Sequence, residues 1–259
     1  MNLLFFDIDG TLTDEKTGTI PQSTLEALKQ TQEAGNLVFI NTGRVYCSIP
    51  PILEQFPFDG YVCGCGTYVR VHDKVIHHRK LSNELCRQIA LKSEETKCFA
   101  IFEGADTLYY DYNLKDDPRI SITDHPESGF KPGLDLHDVN IVFDKFTLWH
   151  TDYSDFSAFL QTFKDELDFI ERNKDFGEFV PKGYTKATGI KLLMDHFNVD
   201  LDHVYCFGDS ANDLGMLNYC KHSIVVASGN PEIFDAVEFI TKEVDHDGIA
   251  FALKHYHLI

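Results

Sequence analysis

The sequence is poor in positive charge and lacks any long apolar run. Lys and Arg together number 23 of 259 residues against 41 Asp and Glu, which gives a formal net charge of −18 at pH 7. Proteins that bind nucleic acids depend largely on Lys and Arg to neutralise phosphates, so this balance argues against a nucleic-acid partner. It argues equally against docking on an anionic membrane surface. A membrane-spanning helix needs roughly 20 consecutive apolar residues, and no run approaches that length.

Signs of export are also missing. The seven cysteines are odd in number and unevenly spaced, which favours free thiols in a reducing compartment over a disulfide framework. The first apolar run, residues 3–6, has no basic stretch before it and ends at Asp7, so it does not have the pattern of a signal peptide. We therefore expect a cytoplasmic protein, and we expect it to be a monomer or a weak homodimer.

Buried strands and helices alternate at both ends of the chain. Residues 3–6 and 37–40 are continuous apolar runs, as in strands buried on both faces of a parallel sheet, and a helical pattern over 23–34 separates them. The same order returns with a helix at 188–197 and a strand at 204–207. Right-handed crossovers make such strand-helix-strand units parallel.

The middle of the chain has a different texture. A helical pattern over 83–95 precedes two apolar runs, 99–102 and 107–112, which together predict an antiparallel hairpin. Residues 111–133 are rich in Pro, Asp and Gly, and this composition predicts a long loop.

Together these patterns predict an α/β protein with two parts. The two ends, residues 1–80 and 184–259, would form a Rossmann-like, doubly wound core around a parallel sheet. Residues 81–183 would form an α+β domain inserted into that core. Ligands of open α/β sheets bind at the carboxyl ends of the strands, so the polar residues that follow each strand are the candidates for function.

The first strand is followed by the motif Asp7-Ile8-Asp9-Gly10-Thr11. Side chains two residues apart share a face of an extended strand, so the carboxylates of Asp7 and Asp9 are presented together, and Gly10 permits a tight turn. Two carboxylates this close repel each other unless one is protonated or a cation lies between them. Oxygen ligands without a nearby thiolate or imidazole favour Mg²⁺. Taken alone, the motif is equally consistent with an Asp-Gly turn whose acids cap the loop.

Two further segments offer groups for a phosphate. Thr42 and Gly43 follow the second predicted strand, where a hydroxyl and the amides of a glycine-opened turn suit a phosphate oxygen. Lys186 precedes the predicted helix at 188–197, and its ammonium could neutralise phosphate charge. Alone, Thr42 would be interpreted as a helix cap and Lys186 as a solvated surface lysine.

The strand at 204–207 also ends in polar residues. Asp209, Asn212 and Asp213 follow it within a short segment. Because this strand end is expected at the same edge of the sheet as Asp7, a third carboxylate there could complete a metal site.

The four motifs in this order resemble those of the haloacid dehalogenase superfamily: D-x-D-G-T, T-G-R, a lysine, and G-D-x-x-N-D. The long insertion between the second and third motifs is similar to the large α/β cap, of the C2B type, in Cof-like phosphatases. The resemblance spans essentially the whole chain, including the late segment Asp247-Gly248-Ile249-Ala250. It implies a Mg²⁺-dependent phosphatase in which residues 81–183 form the cap that sets substrate specificity.

The resemblance also implies the chemistry of the acidic motif residues. Asp7 would be the nucleophile that forms an aspartyl-phosphate. Asp9 would protonate the leaving group and then take a proton from the water that hydrolyses this intermediate. Mg²⁺ would be held by Asp7, by Asp209 and by the backbone carbonyl of Asp9.

The remaining motif residues would hold the phosphoryl group. By similarity, its oxygens are bound by Thr42, the Gly43 amide, Lys186 and Asn212. Asp213 would orient Lys186 or the residues around the metal. The implied reaction is hydrolysis of a phosphate monoester of a small metabolite, such as a sugar phosphate.

One segment departs from the family pattern. Cof-like relatives usually have an Asn-Gly pair after the third strand, whereas this chain has Cys63-Gly64-Cys65-Gly66, with Cys65 at the position of the Asn. No second pair of ligands has the spacing that a metal site with this C-x-C pair needs, so we expect structural thiols. The departure weakens any inference of the substrate from relatives.

Two other functions are compatible with the same residues. A phosphomutase would use the aspartyl-phosphate to return the phosphoryl group to its substrate, and would yield an isomerised phosphoester instead of free phosphate. A non-catalytic regulator would bind a phosphorylated ligand without turnover. Every motif residue is present and the acid at Asp9 favours turnover, so we expect a phosphatase.

Overall fold

The structure is a computed structural model, and it describes residues 1–111, 113 and 134–259. Its strands, numbered in chain order, are β1 (Leu3–Phe6), β2 (Leu37–Asn41), β3 (Gly60–Cys63), β4 (Tyr68–Val71), β5 (Lys74–His78), β6 (Phe99–Glu103), β7 (Leu108–Tyr110), β8 (Leu134–Asp135), β9 (Lys145–Trp149), β10 (Leu167–Asn173), β11 (Phe176–Pro181), β12 (Val204–Gly208), β13 (His222–Val225) and β14 (Phe239–Ile240). Its α-helices are α1 (Gln22–Glu33), α2 (Asn83–Glu95), α3 (Phe156–Phe163), α4 (Lys186–Phe197), α5 (Leu214–Leu217) and α6 (Gly248–His255). Within the described ranges, none of the helices combines the length and apolar character that crossing a membrane requires.

The two ends of the chain build one eight-stranded sheet, in the order β14-β13-β12-β1-β2-β3-β4-β5. The first six strands in this order run parallel, and β4 runs antiparallel to β3. The parallel core predicted from the apolar runs at 3–6, 37–40 and 204–207 is therefore confirmed. Strands β4 and β5, which extend the sheet at one edge, were not predicted from the sequence.

Helices cover this sheet as expected for buried parallel strands. Ile190 and Leu193 of α4 join Leu3 and Phe5 of β1 in one buried cluster. The intervening residues of β1 are also fully buried, so both faces of this central strand are covered. The first helix, α1, packs against the last helix, α6.

The register of the central strands brings three carboxyl ends to one edge of the sheet. Strand β1 lies between β12 and β2, and Phe6 pairs with Phe207 on one side and with Ile40 on the other. The segments that follow these three strands consequently emerge side by side. This edge is where open α/β sheets bind their ligands.

The middle of the chain builds a second, six-stranded sheet in the order β10-β11-β9-β6-β7-β8. Its pairs are antiparallel except for β7 with β8. The hairpin predicted over 99–102 and 107–112 is confirmed as β6 and β7. Tyr112, at the end of that prediction, and most of the predicted loop at 111–133 lie outside the described residues.

Helices α2 and α3 pack on this second sheet through an aromatic cluster. Ser82 caps α2 by accepting a hydrogen bond from the Leu85 amide at 3.2 Å, and Asp155 caps α3 by accepting one from the Ala158 amide at 3.0 Å. The buried aromatic rings of the cluster are Phe102, Tyr109, Phe143, Phe146, Phe159, Phe163 and Phe179.

Contacts divide the chain into two compact units. The core unit comprises Met1–Gly43, Ile52–His77 and Thr185–Ile259, and the insert unit comprises Arg44–Pro51 and His78–Tyr184. Residues 44–51 were expected in the core, as part of residues 1–80. They group with the insert unit because Val45 and Cys47 belong to a buried apolar cluster with residues of β6 and β7, and Cys47 Sγ donates to the Gly104 carbonyl at 3.4 Å.

Shortening Phe146 tests the aromatic cluster of the insert unit. Phe146 is fully buried, and its ring stacks on that of Phe179 at a centroid distance of 4.8 Å. We expect Phe146→Ala to lower the free energy of unfolding by about 3–5 kcal/mol, because a cavity replaces the ring contacts. Urea unfolding followed by the fluorescence of Trp149, the single tryptophan of the chain, measures this. Tyr153→Ala is the control: Tyr153 is 88% exposed, and a change within about 0.5 kcal/mol is expected. Equal losses in the two variants would contradict the packing described.

Candidate active site

The Asp7 motif turns over the end of β1 and meets the loop that follows β12. Asp7 is 4% exposed, and its amide donates to the Phe207 carbonyl at 3.0 Å. Gly10 has a φ of +83°, and a Cβ there would lie 2.8 Å from Asp209 Oδ2. Because glycine alone tolerates both this backbone conformation and this approach, the loop can close on Asp209.

A buried lysine joins two buried carboxylates. Lys186 is 1% exposed, and its Nζ donates to Asp7 Oδ1 at 2.6 Å and to Asp213 Oδ1 at 2.5 Å. Asp213 is fully buried, and its second oxygen, Oδ2, accepts the backbone amides of Asp209 at 2.9 Å and of Ser210 at 3.1 Å. These hydrogen bonds link the loops after β1 and β12 to the start of α4.

Helix α4 begins at Lys186 because the residues around it fix its first turn. Thr185 forms a capping box with Thr188, in which the Thr185 amide donates to Thr188 Oγ1 at 3.1 Å. The Asp213 side chain packs closely against the backbone of Gly208, where a Cβ would lie only 2.7 Å from it. The first turn of α4 thus positions Lys186, and the end of β12 positions its acceptor Asp213.

Burial and mutual repulsion shift the carboxyl pKa values upward. Desolvation raises the pKa of Asp7 well above its usual value, and Lys186 opposes this rise while Asp213 and Asp209 add to it. The pKa of Asp209 rises to about 6 through desolvation and the Asp213 charge, against the hydrogen bond from Thr11 Oγ1 at 2.9 Å. Burial alone would lower the pKa of Lys186, but the charges of Asp213 and Asp7 raise it above its usual value. The lysine therefore stays an ammonium among three acids.

The carboxylates of Asp7, Asp209 and Asp213 fit a hard divalent cation. Each offers one oxygen, and the three oxygens lie within 4.8 Å of one another. Burial first, and then repulsion from the neighbouring carboxylates, raises the pKa of Asp7 and of Asp209, and a cation between the two would offset that repulsion. Asp213 is already committed to Lys186 and two backbone amides. Asp7 and Asp209 are therefore the better cation ligands of the three.

The predicted phosphate-binding residues Thr42 and Gly43 follow β2, the strand beside β1. Thr42 is 1% exposed, its amide donates to the Val62 carbonyl at 2.9 Å, and its own carbonyl accepts the Cys65 amide at 3.2 Å. Gly43 is half-buried. The backbone of Thr42 is thus held on both sides by the segment that includes the end of β3.

Asp9 and Asn212 face solvent more than the other predicted side chains. Asp9 is exposed although it lies two residues from the buried Asp7, and its backbone pairs with Thr13. Asn212 is half-buried, and its Oδ1 accepts a hydrogen bond from Ser210 Oγ at 2.6 Å. The Asp9 side chain does not belong to the group of buried carboxylates that could share a cation. Direct contacts therefore join Asp7, Lys186 and Asp213, whereas Asp9 and Asn212 lie in the loops that follow β1 and β12.

Two further residues, not predicted from the sequence, hold the site together. Asn41 is fully buried, and its Nδ2 donates to the Lys186 carbonyl at 3.2 Å, which ties the end of β2 to the start of α4. The sequence pattern that could have indicated this role is a polar residue directly after the apolar run at 37–40. Thr11 belongs to the first motif, but its acceptor, Asp209, lies 198 residues later in the chain. No local pattern reveals such a partner.

Comparisons with known proteins agree with this geometry. A family model described as haloacid dehalogenase-like hydrolase matches residues 4–253. The chain is 31% identical over 267 residues to YkrA of Bacillus subtilis (strain 168), which bears a provisional phosphatase name, and the match covers 99% of this chain and 98% of YkrA. It is 29% identical over 265 residues to the HMP-PP phosphatase of Yersinia pseudotuberculosis serotype I, covering 98% of this chain and 94% of that protein. Among solved structures, the HAD subclass IIB sugar phosphatase BT4131 is similar with a TM-score of 0.87 and 26% identity, over 100% of both chains.

Replacing Lys186 tests the charge balance of the site. In Lys186→Met the carboxylates of Asp7 and Asp213 lose their shared cation while they stay buried. We expect the free energy of unfolding at pH 7.5 to fall by about 3–5 kcal/mol, the usual result of removing one partner of a buried ion pair. Lys186 holds the pKa of the buried Asp7 down, so without it the Asp7 carboxyl of the folded variant binds protons more readily than in the unfolded chain. The loss should therefore shrink as the pH falls toward about 5. Urea unfolding at both pH values measures these differences from the wild type.

Lys191→Met is the matched control, since Lys191 lies in the same helix. Its side chain is 63% exposed and pairs with Asp195 at 3.1 Å on the surface, so a change within about 0.5 kcal/mol is expected. If Lys186→Met loses no more stability than this control, or if its loss is independent of pH, the charge balance described is wrong.

Proposed function

Because the chain belongs to the haloacid dehalogenase-like hydrolases, we propose that it hydrolyses phosphate monoesters of small metabolites through a phosphorylated Asp7. The observation that carries the proposal is the buried contact of Asp7 with Lys186 at 2.6 Å, with Asp209 close enough to share a cation with Asp7. A carboxylate can attack an anionic phosphate only where the charges of both are compensated. The ammonium and a shared cation supply that compensation here.

Asp7 begins the reaction as the nucleophile. One of its oxygens attacks phosphorus, and the bond from phosphorus to the ester oxygen breaks as the aspartyl-phosphate forms. Asp9 gives its proton to the departing oxygen, which leaves as an alcohol. In the second half, Asp9 takes a proton from water, the water oxygen attacks phosphorus, and the bond to Asp7 breaks to release inorganic phosphate. The exposure of Asp9 supports this role, because its carboxyl can exchange protons with solvent.

Four groups, three after the strand ends and one at the start of α4, would hold the phosphoryl oxygens during both halves. They are the Thr42 hydroxyl, the Gly43 amide, the Lys186 ammonium and the Asn212 amide. Preorganised donors of this kind stabilise charge that develops in a transition state without having to reorganise. Lys186 meets that condition, because its raised pKa keeps it charged and its two carboxylate partners keep it in place.

Mg²⁺ is the proposed cofactor of this site. The phosphatases of this superfamily generally use a metal ion, and the oxygen-only donor set of Asp7 and Asp209 suits a small hard cation. The backbone carbonyl of Asp9 would be the third protein ligand. When bound, Mg²⁺ supplies positive charge that lessens the repulsion between the Asp7 carboxylate and the phosphate.

A small phosphorylated metabolite, resembling a sugar phosphate, is the proposed substrate. Two similar proteins are a sugar phosphatase and an HMP-PP phosphatase by name. The net charge of −18 repels large polyanions, whereas a small ester needs only the local positive charge of Lys186 and the cation. We propose that the insert unit acts as the cap that selects among such esters.

Release of inorganic phosphate from a panel of esters tests the function. The panel contains sugar phosphates, nucleotides and an aryl phosphate, each incubated with Mg²⁺. We expect release to disappear with a chelator and in Asp7→Asn, because an amide is neither a nucleophile nor a good ligand for Mg²⁺. Asp202→Asn is the control, since Asp202 lies on the surface and pairs with Lys221. It is expected to retain wild-type rates.

Two other outcomes would contradict the proposal and point elsewhere. An isomerised phosphoester without free phosphate would identify a phosphomutase. Binding of the esters without either product would identify a non-catalytic phosphate-binding protein.

Asp9→Asn separates proton transfer from nucleophilic attack. We expect kcat to fall about 10²- to 10⁴-fold, with a larger loss for a sugar phosphate than for an aryl phosphate, whose leaving group needs less protonation. Steady-state phosphate release from both esters measures this. Because Asp9 is exposed, the free energy of unfolding should change by no more than about 0.5 kcal/mol. Equal losses on the two esters would show that Asp9 does not protonate the leaving group.

A further inference from the structure

The segment after β3 contains three consecutive residues in the left-handed region. Gly64, Cys65 and Gly66 have φ values of +58°, +54° and +91°. Glycine adopts this conformation readily, but a residue with a Cβ does so at an energetic cost. Strained backbone of this kind persists only where the surrounding contacts hold it, and such positions cluster at functional sites. We call Gly64–Gly66 the left-handed turn.

On one side, the left-handed turn holds Thr42. The Cys65 amide donates to the Thr42 carbonyl at 3.2 Å, and the Thr42 amide donates to the Val62 carbonyl at 2.9 Å. Both peptide groups of Thr42 are therefore fixed by the segment from β3 into the turn. The turn closes on itself, since Thr67 Oγ1 donates to the Gly64 carbonyl at 3.0 Å.

On the other side, the left-handed turn lies directly against the start of α4. A Cβ on Gly66 would lie 2.5 Å from the Thr185 carbonyl oxygen and 3.1 Å from the Gly189 nitrogen. A Cβ on Gly189 would in turn lie 2.2 Å from Val62 Cγ1. The first turn of the helix, which carries Lys186, therefore packs on β3 and the left-handed turn with no room for a methyl group.

We infer that the left-handed turn is a brace that sets the position of Thr42 relative to Lys186. These are two of the groups proposed to hold the phosphoryl oxygens, so the inference rests on the proposed function. Thr42 follows β2 and Lys186 begins α4, two elements far apart in sequence, and the turn contacts the backbone at both. Cys65 and Gly66 are positioning residues. The Cys65 amide binds the Thr42 carbonyl, and the lack of a side chain on Gly66 allows the start of α4 to pack against the turn. We assign no role to the Cys65 thiol.

Gly66→Ala tests the brace by pushing on the start of α4. We expect kcat for the aryl phosphate to fall about 100-fold, the effect that a misplacement of about 1 Å has on catalysis. The KM should rise by no more than about tenfold, because the displaced groups bind the phosphoryl group of the bound ester less strongly than that of the transition state.

Two glycines elsewhere in the core unit provide matched controls. Gly18 has a φ of +65°, but a Cβ there would meet nothing within 4 Å, so Gly18→Ala carries the backbone strain without the collision. Gly215 faces the same Thr185, yet a Cβ there would lie 3.4 Å from the nearest atom. Both variants are expected to keep kcat within about twofold of the wild type. A loss in Gly66→Ala no greater than theirs overturns the inference.

A pair of variants at Cys65 keeps the test decisive if Gly66→Ala does not fold. Cys65→Ala removes the thiol but tolerates the left-handed conformation as well as cysteine does. Cys65→Val adds a β-branched side chain that disfavours it. We expect Cys65→Val to lose about tenfold more kcat than Cys65→Ala. Equal losses in the two variants would assign the effect to the thiol and overturn the brace.

Binding of inorganic phosphate, measured by calorimetry, separates failure of this inference from failure of the proposed function. If the wild type binds phosphate but hydrolyses no ester, the proposed function fails. The brace then stands if Gly66→Ala binds phosphate about tenfold more weakly than Gly18→Ala, and falls if the two bind alike. A wild-type protein that neither binds phosphate nor hydrolyses an ester overturns both.

Discussion

The ammonium of Lys186 lies between Asp7 and Asp213, at 2.6 and 2.5 Å, in a residue that is 1% exposed. A buried ammonium or carboxylate is costly on its own, by several kcal/mol even after relaxation. These charges are therefore stable only together, and each constrains the others. The loop after β1, the loop after β12 and the first turn of α4 must meet at one point. The order of strands in the parallel sheet is what allows them to do so.

The buried charges impose a second constraint, which is that backbone and side chains must approach each other closely around them. At Gly10 a methyl group would press on the Asp209 carboxylate, and at Gly208 it would press on Asp213. Either collision would move an acid away from the lysine or from a shared cation. Glycine is needed at these positions because the charges must lie closer together than ordinary side-chain packing permits. The same logic extends to the packing of α4 on β3, where Gly189 meets Val62.

Much of the core unit could be predicted because a buried parallel strand is a short apolar run that ends in polar residues. Asp7, Thr42 and Asp209 each follow such a run, and their place at one edge of the sheet follows from parallel pairing. Strand β5 could not be predicted, because it is partly exposed and its sequence is neither a continuous apolar run nor a clear alternation of apolar and polar residues. The burial of Lys186 could not be predicted, because its partners lie 179 residues before it and 27 after it. Residues 44–51 were expected in the core, since they lie between predicted core strands in the sequence, but the contacts that fix them come from β6 and β7.

The two acids of the first motif differ in environment far more than their spacing suggests. Asp7 is buried, and it is held by Lys186 and by the ladder to β12. Asp9 is exposed, because the turn at Gly10 begins directly after it. A nucleophile gains from a fixed, water-poor setting in which its charge is compensated, whereas a general acid and base must regain and lose protons in every cycle. Two aspartates on one strand end can therefore divide these tasks, since the fold buries one and leaves the other in contact with water.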